Sequence, residues 1–257
     1  MIDSKFVRYH RKIKSSLLRY ARDLIIWLPP SYFTNRRKRY PVLYVHDGQN
    51  MIDPATSFVG VPWGIDRIGT RLIRKGRIKE FIAVGIYNTP DRGSEYAGGP
   101  RGKSYAEFVC KKLKPLIDKT YRTLPDADNT ANLGASMGGL IAFLIPWWHP
   151  DVVSGGGCFS SAFLWNRNAI IKEVDAYDGP KKKIKIYLDC GTKNMDASLL
   201  PGYRDMLSVL KRKGYRKGID LEYFFDPKGD HTEIDWSGRV WRALTLFYTA
   251  KAQKRKE

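Results

Sequence analysis

Two kinds of hydrophobic pattern alternate along this chain. Short, nearly continuous apolar runs are typical of strands buried on both faces, and apolar residues spaced three or four positions apart are typical of amphipathic helices. The continuous runs predict strands over residues 22–32, 41–45, 80–88, 130–136, 152–161, 183–191 and 219–227. The helical spacing predicts helices over residues 64–77, 104–121, 137–148, 202–215 and 236–251.

This alternation predicts βα units, in which mostly parallel strands form a twisted sheet with helices on both faces. No linker rich in Ser, Gly or Pro interrupts the pattern, so we expect residues 1–257 to form a single α/β domain, with residues 1–14 and 251–257 at its periphery. Ligands of such sheets bind at the carboxyl ends of the strands. The loops that follow the strands are therefore the expected location of a functional site.

Composition excludes several classes of protein. Hydrophobic residues make up 43% of the 257 residues, which excludes a wholly disordered chain. The three cysteines, Cys110, Cys158 and Cys190, show no metal-ligand spacing and indicate buried thiols in a reducing compartment. The N-terminal segment is charged throughout, and no apolar segment reaches the roughly 20 residues that span a bilayer. We expect a cytoplasmic protein without a membrane span.

The chain is strongly basic. Lys and Arg number 45 against 26 Asp and Glu, a formal net charge of +19. The basic residues form short scattered runs, and none is interleaved with aromatic residues as in a binder of single-stranded nucleic acid. We interpret the charge as a solvated surface and expect no specific nucleic-acid partner. An acidic substrate or a polyanionic neighbour is the alternative.

A candidate nucleophile lies in residues 134–138, GASMG, which fit the pattern G-x-S-x-G. A predicted strand precedes this segment and a predicted helix follows it, which is the setting that holds a serine on a strained turn with its hydroxyl exposed. Ser136 is therefore the predicted nucleophile. The alternative is a junction of small residues that only permits close packing.

A serine hydroxyl needs an adjacent base, and the chain has four histidines. His10 lies in a charged N-terminal segment and is expected to be exposed, His46 directly follows a predicted strand, and His149 lies where a helix ends. His231 lies between the last strand and the last helix. Since the histidine comes last in the chain order of α/β-hydrolases, His231 is the predicted base. Its alternative role is to cap the last helix.

The third member of a triad is a carboxylate that orients the imidazole. It is expected between Ser136 and His231, after the penultimate strand, where Asp189 and Asp196 are both eligible. Asp189 lies near the strand end, in a structural position, and Asp196 lies in the predicted loop. We favour Asp196. A serine–histidine pair without a carboxylate is the remaining possibility.

An oxyanion hole requires two backbone N–H groups near the serine. The first is expected from Met137, the residue after the nucleophile. The second is expected from the turn HDGQN that follows an earlier strand, where Gly48 lets the backbone approach and Gln49 is the predicted donor. The alternative is an ordinary Asp-Gly turn.

Five segments together resemble one known family. RYPVLYVHDGQNMID, FIAVGIYNTPDRGSEY, YRTLPDADNTANLGASMGGL, IKIYLDCGT and GDHTEIDWSGRVW are similar, in this order, to the putative esterase family of α/β-hydrolases. That family contains enterochelin-esterase-like proteins, feruloyl and acetyl-xylan esterases, S-formylglutathione hydrolases and mycolyltransferases. The resemblance runs from about residue 15 to residue 248 and implies an α/β-hydrolase fold.

The resemblance also implies roles for individual residues. It makes Ser136 the nucleophile and His231 the base, and it places the HDGQN turn beside the site. It implies that Trp63, Arg92 and Tyr96 line the substrate cleft. The alternatives are that Arg92 fixes its own loop and that Trp63 belongs to the core.

One position departs from the family pattern. The family usually has Asp or Glu where this chain has Asn194, and an amide does not stabilise an imidazolium as a carboxylate does. The carboxylate would then come from Asp196, two residues later. A misplaced acid would leave a serine–histidine pair with reduced activity.

These observations predict a serine carboxylesterase that hydrolyses a small-molecule ester through an acyl-enzyme on Ser136. Short-chain acyl esters and acylated carbohydrates both fit. We expect no metal or organic cofactor, because the few His and Cys residues form no ligand set. The alternatives are an acyltransferase on the same scaffold and a non-catalytic binding protein, the latter suggested by Asn194 and the net charge. The pattern favours no particular oligomeric state.

Overall fold

The predicted strands assemble into one sheet. A computed structural model describes residues 4–250, so that residues 1–3 and the predicted peripheral tail at 251–257 lie outside the described part. The strands within residues 4–250 are β1 Val7–Ile13, β2 Arg22–Trp27, β3 Val42–His46, β4 Ile82–Ile86, β5 Thr130–Ala135, β6 Gly155–Phe159, β7 Lys185–Cys190 and β8 Leu221–Phe225. Their order across the sheet is β1-β2-β4-β3-β5-β6-β7-β8.

The sheet is mostly parallel, as predicted. Strands β3 to β8 form a parallel set, and β2 pairs antiparallel with both β1 and β4. The carboxyl ends of the parallel strands therefore meet at one edge of the sheet, where ligands of such folds bind.

Helices cover both faces of this sheet. They are α1 Ile65–Arg74, α2 Arg92–Glu95, α3 Pro100–Glu107, α4 Lys114–Thr120, α5 Met137–Trp148, α6 Trp165–Ala176, α7 Asn194–Arg212 and α8 Glu233–Tyr248, and a π-helical stretch, Phe108–Leu113, joins α3 to α4. Buried side chains of α1 and α8 form a hydrophobic cluster on one face. Those of α3 to α7 form the cluster on the other face.

The continuous apolar strands are explained by these two clusters. Successive side chains of a strand point to opposite faces of its sheet. In β2, Leu24 and Ile26 pack into the α3–α7 cluster, whereas Ile25 and Trp27 pack into the α1–α8 cluster. A strand with helices on both sides is therefore apolar on both faces over most of its length, as residues 24–27 of β2 are.

Several elements add to the predicted pattern or shift its bounds. Val7–Ile13, within the segment expected at the periphery, form the edge strand β1, whose exposed basic side chains mask a strand pattern. The pattern did not predict α6, which has left-handed residues at 166–168. Helix α7 begins at Asn194 instead of residue 202 and continues through Pro201. This early start places Asp196 in the first turn of a helix and not in a loop.

Two further features concern the cysteines and the lengths of the apolar helices. Cys110, Cys158 and Cys190 are free and buried. No helix within residues 4–250 is long and apolar enough to cross a membrane.

A buried ion pair joins the sheet to the segment around α2. Arg22 Nη2 of β2 lies 2.8 Å from Glu95 Oε1, and the side chains are 0% and 3% exposed. The Arg22 guanidinium also lies 5.3 Å from the ring centroids of Tyr105 and Phe108. Because this cation is surrounded by rings and shielded from water, Glu95 is the partner that balances its charge.

We expect the substitution Glu95→Ala to lower the free energy of unfolding by about 3–5 kcal/mol, because it leaves the Arg22 charge buried and unpaired. The matched control is Arg212→Ala, which breaks a pair with Asp175 whose side chains are 57% and 52% exposed and should cost less than about 1 kcal/mol. Urea denaturation measures both. Equal, small losses in the two variants would contradict the buried-pair account.

Candidate active site

Ser136 lies on a sharp turn between β5 and α5. Its backbone has φ 58° and ψ −122°, a conformation that non-glycine residues adopt only under strain. Its carbonyl oxygen accepts hydrogen bonds from the amides of Gly139, Leu140 and Ala162, each at 3.1 Å. The chain around the serine is thus fixed both by the first turn of α5 and by the segment that follows β6.

A glycine before the serine is required by this turn. A Cβ atom at Gly134 would lie 2.4 Å from the carbonyl oxygen of Gly138, which is too close for any side chain. The strand and the first turn of α5 can therefore approach each other only with glycine at this position. The G-x-S-x-G spacing of the sequence has a steric cause here.

His231 lies in the loop between β8 and α8 and faces the same cavity as Ser136. This cavity has a volume of about 350 Å³. The Nδ1 atom of His231 lies 2.7 Å from Oδ1 of Asp196, and the ring contacts Trp236 edge-on with centroids 4.8 Å apart. The structure thus brings together the serine, histidine and aspartate that the sequence nominated.

Asp196 is fully buried and accepts several hydrogen bonds. Its Oδ2 atom accepts from the amide of Gly191 at 2.7 Å and from the hydroxyl of Ser160 at 2.8 Å. Burial alone would raise the pKa of Asp196, but the hydrogen bonds from His231, Ser160 and Gly191 outweigh it and lower the pKa below its usual value. Asp196 is therefore a carboxylate at neutral pH.

Asp189, the other eligible carboxylate, has a different environment. It accepts from the amide of Ser160 at 3.1 Å and from the hydroxyl of Tyr187 at 2.8 Å, and its Oδ2 lies 3.3 Å from Arg239 Nε. Burial raises the pKa of Asp189 to about 6. These contacts support the structural position expected for Asp189.

Asn194, which replaces the carboxylate usual in the family, helps to position the histidine loop. Its side-chain amide donates to Asp230, whose other oxygen accepts the backbone N–H of His231 at 2.7 Å. Asn194 itself has a φ of 47° at the start of α7. The amide therefore links the helix that carries Asp196 to the loop that carries His231.

The remaining histidines lie elsewhere. His46 is buried between the hydroxyl of Tyr105 and the side-chain oxygen of Asn132, and burial lowers its pKa to about 4. His149 ends α5, as expected, with its amide donating to Ile145. His10, expected to be exposed, is half-buried in β1 and hydrogen-bonds the Tyr121 hydroxyl at 2.7 Å.

The HDGQN turn packs against the serine turn. A Cβ atom at Gly138 would lie 3.0 Å from Asp47 Oδ2, and one at Gly48 would lie 2.2 Å from the backbone of Gly85. Gln49 lines the cavity, and its side-chain oxygen accepts from the amide of Asn88 at 3.3 Å. Met137 begins α5, where helix geometry leaves backbone N–H groups without an intrahelical acceptor.

The aromatic residues Trp63 and Trp236 form the floor of the cavity. Trp63 is 4% exposed and contacts Phe159 and Trp236, with ring centroids 5.1 and 5.8 Å away. It is both a cavity wall and a core residue, so the two readings of Trp63 are compatible. The full lining is Asp47, Gln49, Asn50, Phe58, Trp63, Asn88, Arg92, Ala135, Ser136, Met195, His231, Glu233 and Trp236.

Arg92 lines the cavity, but its guanidinium is engaged by another side chain. Its Nε and Nη2 atoms contact the two oxygens of Asp47 at 2.7 and 2.8 Å. Tyr96, expected in the cleft wall, is instead fully buried and accepts the Asp47 amide at 3.1 Å. Both residues hold the HDGQN turn, because each binds Asp47.

The sequence pattern missed several residues of the site. Ser160 contacts Asp196 and Trp236 contacts His231. Glu233 and Phe58 line the cavity, and 83% of the Phe58 surface is exposed. Small residues at the end of β6 were a visible signal for a close approach there. Nothing in the pattern showed which partners they meet. Within residues 4–250, no group of three or more His, Cys, Asp and Glu side chains is arranged to hold a metal ion.

Comparison with known proteins assigns a family. The family model described as "Putative esterase" matches residues 15–244, most of the chain. The chain belongs to this esterase family. The resemblance drawn from the sequence motifs is thereby confirmed, and the coarse functional class is that of an esterase.

Solved structures show the fold. A ferulic acid esterase superposes with a TM-score of 0.75 at 22% identity, covering 94% of this esterase and 97% of that chain. The enterobactin esterase FES of Shigella flexneri superposes with a TM-score of 0.76 at 18% identity, covering 94% of this chain and 58% of that chain. The CE1 ferulic acid esterase of the anaerobic fungi Anaeromyces mucronatus superposes with a TM-score of 0.70 at 21% identity, covering 94% of this chain and 90% of that chain. The predicted α/β-hydrolase fold is confirmed.

A curated relative matches part of the chain. The uncharacterized protein YbbA of Bacillus subtilis (strain 168) is 24% identical over 152 residues, which are 58% of this esterase and 59% of that protein. The match thus spans about three fifths of the length of that relative.

The pairing of Arg92 with Asp47 leads to a test of its role. We expect Arg92→Lys to lower kcat/KM about tenfold for both the neutral ester p-nitrophenyl acetate and the anionic mono-p-nitrophenyl succinate, because lysine cannot bind both oxygens of Asp47. The exposed Arg74→Lys is the control and should change neither. A loss confined to the anionic ester would show instead that Arg92 binds a substrate carboxylate.

Proposed function

We propose that this protein is a serine carboxylesterase whose catalytic residues are Ser136, His231 and Asp196. The observation that carries the proposal is the 2.7 Å contact between His231 Nδ1 and Asp196 Oδ1 at the cavity that Ser136 also lines. This arrangement supplies a nucleophile on a strained turn, a base and a buried carboxylate that orients the base. The family assignment supports an ester as the substrate.

The acylation half-reaction begins when an ester enters the cavity. His231 accepts the hydroxyl proton of Ser136 as the serine oxygen attacks the carbonyl carbon, and Asp196 stabilises the imidazolium that forms. The tetrahedral oxyanion accepts hydrogen bonds from the backbone N–H groups of Met137 and Gln49. His231 then donates its proton to the leaving alcohol, and the C–O bond breaks to give an acyl-enzyme.

Deacylation repeats these steps with water. His231 takes a proton from the water as its oxygen attacks the acyl carbon, and the same two amides hold the second oxyanion. Collapse of this intermediate returns the proton to Ser136 and releases the acid. No step requires a metal or an organic cofactor.

The cavity restricts the size of the substrate. Its volume of about 350 Å³ is near the lower end of the range for small-molecule sites, and its floor is the aromatic pair Trp63 and Trp236. A short acyl chain or a single ring fits such a space. The alcohol portion can extend past Phe58, which is exposed at the rim. Short-chain acyl esters and acylated carbohydrates both satisfy these limits.

The non-catalytic alternative loses its main support. It was suggested by the net charge and by Asn194, which stands where the resemblance implies an acid. Asp196 contacts His231 directly, and Asn194 instead binds Asp230 beside it. The departure from the family pattern therefore leaves a carboxylate on the histidine.

The nucleophile is tested by Ser136→Ala. We expect it to lower p-nitrophenyl acetate turnover by about 10⁴-fold or more, because the remaining site lacks the atom that forms the acyl-enzyme. It should also abolish covalent labelling by a fluorophosphonate. The control is Ser208→Ala, at an exposed serine on α7, which should retain both the turnover and the labelling. Retained turnover and labelling in Ser136→Ala would refute the assignment.

The carboxylate is tested by Asp196→Asn. We expect kcat to fall by about 10³–10⁴-fold with KM little changed, because an amide can present an N–H group to His231 and stabilise the wrong tautomer. Asp205→Asn, an exposed position on the same helix, is the control. Steady-state kinetics measures both. A loss of less than tenfold in Asp196→Asn would show that the serine and histidine act without this acid.

A further inference from the structure

A buried serine joins the proposed triad to two donors on α8. Ser160 directly follows β6 and has no exposed surface. Its oxygen lies 2.8 Å from Asp196 Oδ2, 3.0 Å from Trp236 Nε1 and 3.3 Å from Arg239 Nη2. One hydroxyl thus contacts a carboxylate, an indole and a guanidinium.

The chemistry of these partners determines where the hydroxyl proton points. An indole N–H and a guanidinium only donate hydrogen bonds, so the Ser160 oxygen accepts from both Trp236 and Arg239. Its two lone pairs are then occupied. The single hydroxyl proton is left for Asp196 Oδ2, which is the only acceptor among the three partners.

The acceptor role of Asp196 determines which ring nitrogen of His231 carries a hydrogen. Asp196 Oδ2 receives the Ser160 hydroxyl and the Gly191 amide, and Oδ1 faces His231 Nδ1 at 2.7 Å. Because an ionised carboxylate only accepts, Nδ1 must carry the hydrogen of the neutral imidazole. The Nε2 atom then keeps its lone pair, which is what a base for Ser136 needs.

The backbone around Ser160 is built to hold this geometry. Ser160 has a φ of 40°, in the left-handed region that a non-glycine residue adopts at a cost. Its amide lies 3.1 Å from both the carbonyl oxygen and the Oδ1 atom of Asp189. Arg239 is held in turn by Asp189 at 3.3 Å and Asp226 at 3.6 Å. The serine and its donor are therefore fixed before any substrate binds.

We propose that Ser160 is a positioning residue: its hydroxyl, oriented by Trp236 and Arg239, donates to Oδ2 of Asp196, keeps Oδ1 directed at His231 Nδ1 and reduces the negative charge that faces the imidazole. The proposal rests on the proposed function, since it assigns a role within that triad. Among the described residues, the hydrogen bonds of the Ser160 hydroxyl reach one residue of the cavity lining, Trp236, and its link to His231 runs through Asp196.

A purely structural role for Ser160 predicts different results. If the serine only links β6 to α8, its loss lowers stability and leaves the pH dependence of catalysis unchanged. If it draws negative charge from Asp196, its loss leaves more negative charge facing His231, and the acid limb of the kcat/KM profile moves to higher pH. The acid limb of the kcat/KM profile separates the two roles.

The test is Ser160→Ala, measured with p-nitrophenyl acetate across pH. We expect kcat to fall about tenfold, KM to stay within about twofold and the acid limb of kcat/KM to move up by about half a pH unit. The far-downfield proton NMR signal of the His231 Nδ1–H should shift or broaden. The matched control is Ser161→Ala, because the neighbouring Ser161 hydroxyl is buried and has no hydrogen-bond partner within the described chain. It should leave the pH profile and the NMR signal unchanged.

A second variant guards against a failure to fold. Ser160→Cys keeps a side chain of similar shape with a weaker donor, so it should shift the acid limb in the same direction by less than Ser160→Ala. An unmoved acid limb and an unchanged Nδ1–H signal in a folded variant would overturn the proposal, even if kcat or stability fell. Fluorophosphonate labelling of the wild type, absent in Ser136→Ala, shows separately whether the proposed function holds.

Discussion

The hydrogen bond between Asp196 and His231 is the interaction on which the site depends. A carboxylate without exposed surface is costly unless hydrogen bonds replace the water that it loses. Three groups meet this requirement, since Gly191 and Ser160 donate to Oδ2 and His231 lies at Oδ1. The buried charge holds an imidazole at the wall of a cavity, beside the turn that carries Ser136.

Backbone strain is concentrated at the same edge of the sheet. Asp47, Ser136 and Ser160 directly follow the neighbouring strands β3, β5 and β6, and each has a positive φ. Such residues cost of order 1–3 kcal/mol each and persist only where the surroundings hold them. Arg92 holds the first, the amides of α5 the second and Asp189 the third. The parallel core, with helices on both faces, supplies the stability that these turns require.

The net charge of the chain does not describe its cavity. The formal charge of +19 comes from basic residues spread over the surface, whereas Asp47, Glu233 and His231 line the cavity and Asp196 lies behind it. Arg92, the one arginine of the lining, is paired with Asp47. The local field at the site is therefore set by a few partnered groups, because charges in contact act more strongly than distant surface charges that salt screens.

Hydrophobic periodicity determined the fold class, because strands such as β2 must be apolar on both faces when helices cover the sheet. Local sterics and chain order were enough to nominate Ser136 and His231, since the glycine at 134 and the position of the histidine are written in the sequence itself. The sequence favoured Asp196 over Asp189 as a residue of a loop, whereas its contact with His231 depends on where α7 begins, which the pattern did not predict. The sequence revealed neither the contacts of Ser160 nor the pairing of Arg92 with Asp47, because the partners are distant in sequence. Only the packing of β6, α8 and the HDGQN turn brings them into hydrogen-bonding distance.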